Sequence, residues 1–328
     1  MLAVNIWFWV GFIAFVLAML ALDLGVFHRT PHEVRPKEAG FWVAVWVALA
    51  LIFAAGLHMW AGKEVALTFL TGYVIEESLS VDNIFVMVLI FEYFRVPKNC
   101  QHRVLFYGIL GALVMRGLFI AAGAALVSNF HWVLYVFGGL LVVTGARMAL
   151  KRDEEFNGDD NVIVRAVRRY LPMSNQFHGK HFFTVENGRR IATPLFLVLI
   201  LVEFTDLIFA VDSIPAIFGV TTDPFIVFTS NIFAVMGLRS LYFLLAAVVD
   251  RFHLLKYGLA LILTFVGFKM LTEKWIEIDI MVSLMVILGV LFASVVASLI
   301  WTKREHETDQ TKAITAETQR RGETQRNP

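Results

Sequence analysis

One cysteine, Cys100, stands in 328 residues, which excludes an internal disulfide and any metal cage built of several thiolates. Charge is scarce as well: Asp, Glu, Lys and Arg make up 17% of the chain, against about 25% in soluble domains. The net charge is +1, so neither sign dominates and bulk charge offers no hold for nucleic acid. No His-Glu-x-x-His zinc motif occurs in the sequence. The opening residues carry no basic stretch and no small-residue cleavage pattern, so the first apolar run is expected to be retained rather than removed as a signal peptide. What abounds is apolar: 58% of the residues, 30 phenylalanines among them, with a mean hydropathy of +0.71.

A hydrocarbon core of about 30 Å takes roughly 20 residues of helix to cross. Nine runs are long enough: about 5–25, 41–60, 67–91, 104–127, 131–150, 194–219, 224–248, 256–272 and 280–301. The fold class is therefore an all-α membrane protein with about nine transmembrane helices. Lysine and arginine collect in alternate connections, after spans 1, 3, 5 and 7 and at the start of the tail (Lys303-Arg304). That alternation places the N-terminus outside and the C-terminus inside a bacterial inner membrane crossed many times. The chain then divides into spans 1–5 over 1–150, a cytoplasmic loop over 151–193, spans 6–9 over 194–303, and a disordered cytoplasmic tail over 304–328. The loop opens with acids (Asp153, Glu154, Glu155, Asp159, Asp160), read as a solvated linker. Apolar residues around Asn187-Gly188 predict a small β-hairpin, because both turn positions accept positive φ.

Two of the apolar runs carry acids. Span 3 holds Glu76, Glu77 and Asp82 beside Asn83, and span 6 holds Glu203, Asp206 and Asp212 beside Ser213. On insertion scales an unpaired charge at a helix centre costs roughly 2.5–3.5 kcal/mol, so six would cost about 15–20. Such residues mark an ion pathway by default.

The two acidic stretches also repeat. Ser80-Val81-Asp82-Asn83-Ile84 matches Ala210-Val211-Asp212-Ser213-Ile214 at an offset of 130, which lays Glu76 on Asp206. In the spans that follow, Arg116 aligns with Arg239 at an offset of 123. Three spans separate the copies, so they enter the membrane from opposite sides. Spans 3–5 (about 67–150) and spans 6–8 (about 194–272) thus read as an inverted-topology repeat, an architecture of secondary transporters.

Acids six apart point about 120° from each other on a regular helix. A single ion shared by Glu76 and Asp82, or by Asp206 and Asp212, therefore requires spans 3 and 6 to be broken or kinked; nearby hydroxyls and Pro215 are suited to that. Carboxylates, hydroxyls and an amide suit hard cations such as Mn²⁺, Ca²⁺ or Mg²⁺. Arg116 and Arg239 read as charge-balancing partners, since arginine only donates, and Asp23 as an interfacial or access residue of span 1. Six acids against two arginines leave an excess that links metal occupancy to protons. The bland alternative makes the acids interhelical struts.

The segments Glu76-Glu77-Ser78-Leu79-Ser80-Val81-Asp82-Asn83 and Glu203-Phe204-Thr205-Asp206 through Asp212-Ser213-Ile214-Pro215 resemble the signature of the TerC/Alx family of integral membrane proteins. The resemblance continues in Thr222-Asp223-Pro224-Phe225, Ser230-Asn231-Ile232-Phe233-Ala234 and Leu238-Arg239-Ser240-Leu241-Tyr242, covers about residues 20–300, and is greatest to the Alx branch. It implies Mn²⁺ efflux from the cytoplasm, with Mn²⁺ as cargo, no prosthetic group, and Glu76, Glu77, Asp82, Asn83, Glu203, Asp206, Asp212 and Ser213 as the metal-handling set. Glu77 is a departure, because Alx-like sequences can carry lysine there. The expected function is a secondary transporter, not an enzyme, exchanging Mn²⁺ for protons in the bilayer. An intramembrane aspartyl protease would leave four acids idle. The remaining alternatives are a carrier of another cation such as Ca²⁺, and a partner-dependent accessory protein that delivers metal to exported proteins or aids membrane insertion; the partners to expect besides ions and lipid are a second copy of the chain or a secretion-related protein.

Overall fold

The computed structural model describes residues 4–25, 36–150, 162–174, 176–186, 188–246, 255–276, 278–298 and 300. Ten helices and one hairpin are described: α1 (Ile6–Gly25), α2 (Pro36–Ala61), α3 (Lys63–Tyr93), α4 (Lys98–Asn129), α5 (Val133–Leu150), α6 (Val162–Tyr170), β1 (Phe183–Glu186), β2 (Arg189–Ala192), α7 (Pro194–Phe218), α8 (Pro224–Leu245), α9 (Leu255–Thr272) and α10 (Ile280–Ser298). Each of the nine apolar runs coincides with one helix. Seven, namely α2, α4, α5 and α7 to α10, are long and apolar enough to cross a membrane. Of the other two, α1 is apolar over a shorter stretch, Ile6–Leu22, and α3 carries three acids in its middle. The acidic run at 153–160 and the tail from 304 lie outside the described residues.

The two central helices start where local chemistry dictates. Asp223 caps α8 by accepting from the N–H groups of Phe225 (3.0 Å) and Ile226 (3.4 Å), and Pro224 follows at the position where a missing donor costs nothing. Thr193 and Pro194 open α7 in the same order. Buried on nearly every side, α8 packs on α2, α3 and α4. Around it α3 meets α7, α4 meets α7, and α5 meets α9. By contrast α1, α2, α5 and α10 turn large apolar side chains outward, among them Trp7, Ile52, Val136 and Phe292, as a lipid-facing surface requires.

The seam between α5 and α9 is closed by glycine. A Cβ added at Gly138 would stand 2.9 Å from the Gly267 carbonyl oxygen, and one at Gly267 would stand 2.7 Å from that of Gly138. One turn pair further along, a Cβ at Gly145 would stand 2.7 Å from the Ala260 carbonyl oxygen. Small residues let the two backbones touch, which is how apolar helices gain contact where lipid removes any hydrophobic drive.

The segment between α5 and α7 contains more than a hairpin. Helix α6 buries Val164, with Ile163 and Val167 half-buried, in a cluster with Val96, Cys100 and Leu195, while Arg165, Arg168 and Arg169 share its polar face. A nine-residue helix is marginal alone and forms here because it packs; its amphipathic pattern is too short to decide the matter by itself. Strands β1 and β2 pair antiparallel with Phe183 opposite Ala192 and Glu186 opposite Arg189. Gly188 (φ 75°) supplies the positive φ the turn needs.

Candidate functional site

The centre of the molecule is an ion-pair cluster built on Arg116 of α4. Its guanidinium is 2% exposed and grips Asp206 of α7 in a fork, Nε to Oδ2 at 3.1 Å and Nη2 to Oδ1 at 2.8 Å. The remaining terminal nitrogen, Nη1, donates to Glu76 Oε1 of α3 and to Asn231 Oδ1 of α8 (3.3 Å). From α3, Asn83 Nδ2 adds a third donor to Asp206 Oδ1 at 2.9 Å. Four helices thus meet on one guanidinium, and all five side chains are buried. The fork–fork pairing of arginine with carboxylate is among the strongest polar contacts a protein makes.

The helices place these groups simply. Glu76 and Asn83, seven apart on α3, lie on one face two turns apart, and Asp206 presents from α7 opposite them. Two carboxylates and one guanidinium leave a formal charge of −1 away from water. Several polar atoms here have no protein partner: Glu76 Oε2, Asn83 Oδ1, Asn231 Nδ2 and the buried Ser213 Oγ. Unpartnered polar atoms buried this deep leave hydrogen-bonding capacity for water or an ion.

The other expected site residues stand apart. Asp212 is half-buried and accepts from Thr144 Oγ1 of α5 at 3.0 Å. The Glu203 carboxyl fills the space that a side chain at Gly111 of α4 would take, with Oε2 buried and unpartnered. Glu77 turns toward α8, its Oε1 3.9 Å from where a Cβ on Gly237 would lie, and its Oε2 is likewise unpartnered. Asp82 is half-buried on α3. Arg239, buried on α8, borders a small cavity that also touches Asp206. Asp23 lies in α1, and its side chain is outside what the structure describes.

Two expectations are corrected. The acidic helices are not interrupted: α3 and α7 run continuously through all six acids. Ser78 and Thr205 turn their hydroxyls back onto their own helices, at Val74 O and Val202 O, and so relieve no broken turn. Pro215 lies in the last turn of α7, where it withholds one N–H from the Val211 carbonyl without ending the helix. Nor do the acids gather into one metal cage. Among the described residues no three His, Cys, Asp or Glu side chains are placed to hold an ion together. On unbroken helices Glu76 and Asp82 must diverge, and so must Asp206 and Asp212. The pair that does meet is one acid from each helix. Asn231 and Thr144 are the participants the sequence reading passed over. Asn231 was legible as a buried amide in an apolar run, whereas Thr144 carried no signal, since threonine is common in such helices.

A multi-pass membrane protein with a buried ion-pair centre where its acidic helices meet is the class these features define. Residues 61–306 match the integral membrane protein TerC family, and the chain belongs to that family. It is 56% identical over 301 residues to an uncharacterized membrane protein of Myxococcus xanthus, covering 92% of this chain and 94% of that one. It is 50% identical over 308 residues to the protein named "Putative membrane-bound redox modulator Alx" of Escherichia coli K12, covering 91% and 96%. A membrane protein of Rickettsia felis is 39% identical over 292 residues, covering 89% and 97%. No solved structure matches the chain.

Proposed function

We propose that this protein is a secondary transporter of the inner membrane that exports a divalent cation, Mn²⁺ foremost, from the cytoplasm in exchange for protons. The observation that carries the reading is the site of Arg116: a buried cationic group clasped by Glu76 and Asp206, the two acids that occupy the same place in a repeated motif. A site that holds one cation between carboxylates from two helices can hold another. The oxygens within it come from carboxylates and amides, which suits hard divalent ions. In the conformation described, the guanidinium stands where the cargo would bind.

The architecture supports the reading. Helices α3, α4 and α5 correspond to α7, α8 and α9, with nine spans, the N-terminus outside and α6 with the hairpin in the cytoplasm. Their packing is reciprocal: α3 lies on α8 as α4 lies on α7, and the Gly138–Gly267 contact has its counterpart in Ala260–Gly145 at an offset of 122. Inverted repeats of this kind bind cargo near the midplane and expose it to each side in turn. The redox wording in a relative's name finds one thiol here, Cys100, whose Sγ is 3.3 Å from the Gly179 carbonyl oxygen. One thiol closes no disulfide within the chain, so the reading rests on ions.

The test is Mn²⁺ uptake into everted membrane vesicles under an imposed proton gradient. Saturable accumulation, lost in Glu76→Gln and Asp206→Asn and abolished when the gradient is collapsed, is the expected result. No accumulation above empty vesicles by folded protein overturns the reading.

A further inference from the structure

Glu76 and Asp206 occupy equivalent places in the two repeats, 130 residues apart, and Arg116 and Arg239 do so at 123. Exchanging the repeats maps the acid pair onto itself and each arginine onto the other. Arg116 holds both acids, whereas Arg239 lies beside a cavity of about 10 Å³ that Asp206 also lines, at the lower limit for one water. The second arginine is thus within one small void of the group that the first now grips.

We propose, resting on the inverted-repeat reading above, that Arg116 and Arg239 hold the Glu76–Asp206 pair in turn. Arg116 does so in the conformation described, and Arg239 in the one reached when the repeats exchange roles. Buried carboxylates need a counter-charge at every stage, because removing one partner of such a cluster is among the most costly changes a core can suffer. A carrier that returns without metal meets that need with the protons it exchanges and with a cation of its own, which holds whichever carboxylate stays ionised. Arginine suits the task, since its charge is permanent and its fork takes two carboxylate oxygens at once. The cargo would enter during the hand-over, when neither fork is fully engaged.

The closures on either side of the centre share the same equivalence. Val202 lies against Gly108 and lines the cavity with Met87, while Gly72 lies against Ile217, and a Cβ at each glycine would stand 3.3 and 3.4 Å from those neighbours. At the offset of 130, Val202 answers to Gly72 and Met87 to Ile217. Met87 and Ile217 are therefore matched reporters for the two ends of one path, 3% and 0% exposed in this state.

The experiment places a single cysteine at Met87 or Ile217 in full-length Cys100→Ala protein and follows its labelling by a small water-soluble maleimide. R116K weakens the fork seen here and is expected to raise labelling several-fold at one reporter and lower it at the other. R239K is expected to do the reverse, and the double variant to return to the starting balance. Shifts in the same direction for both arginines, or none, overturn the proposal. R239K leaves every contact of Arg116 in place, so should R116K fail to elute as a monodisperse protein, R239K labelling that does not rise at one reporter and fall at the other overturns the proposal. Mn²⁺ uptake in the same preparations separates the two readings. Opposite shifts without uptake overturn the transport reading and leave the exchange of arginines standing; uptake with matched shifts does the opposite.

Discussion

At the scale of single residues, Arg116 does what the proposed cargo ion would do. It bridges two acids from different helices, and its own charge is sustained by both. Arg116→Met strands the Asp206 carboxylate, together with that of Glu76, and should cost about 3–5 kcal/mol, seen as an early thermal transition of the protein in detergent. Asn83→Ala removes one donor to the Asp206 carboxylate and should cost about 1–3 kcal/mol, so the order of the two transitions tests the geometry. A third variant separates folding from function. Replacing all three charges together, as Glu76→Gln, Arg116→Met and Asp206→Asn, should recover most of the stability lost in the single variants, because no charge is stranded. Mn²⁺ uptake should stay abolished. Recovery of uptake with the charges gone would show that the cluster is a strut.

At the scale of helices, continuity matters more than interruption. The six acids look like the markers of two broken helices, and the spacing argument for a shared ion required a break. Instead α3 and α7 stay intact and each sends its acids in different directions: to Arg116, to the Gly111 notch, to Thr144, and toward Gly237. The seam of α5 and α9 makes an independent prediction. Gly267→Ala places a methyl group 2.7 Å from a carbonyl oxygen and should destabilise by about 1–3 kcal/mol. Gly139→Ala, one position along from Gly138 with open space around its Cβ, should be neutral or stabilising by up to about 1 kcal/mol. Equal effects in a thermal scan would mean that the seam is looser than described.

At the scale of the molecule, the proposed orientation puts α6 and the hairpin in the cytoplasm and the turn between α4 and α5 outside. Val185 and His131 are exposed at those two places. Cysteines introduced there in a Cys100→Ala background should label from opposite sides of the membrane, Val185→Cys in everted vesicles and His131→Cys in intact spheroplasts. Labelling of both from one side would reverse or remove the inverted repeat, and with it the symmetry that relates the two arginines.

The apolar runs, their lengths and the two acidic stretches were legible in the sequence, because burial of apolar side chains and the cost of charge in a membrane act on local segments of chain. The matched acids and arginines were legible too, since a repeat is written in order along the chain. Which acid meets which arginine was not. Arg116 lies 40 residues from Glu76 and 90 from Asp206, and their meeting depends on how α3, α4 and α7 pack around α8. Helix α6 was hidden for the same reason, as its nine residues are helical only while Val164 is held against its neighbours. Interactions along one helix repeat with its period and can be read from it. Interactions between helices are set by crossing and depth, which only the folded packing supplies.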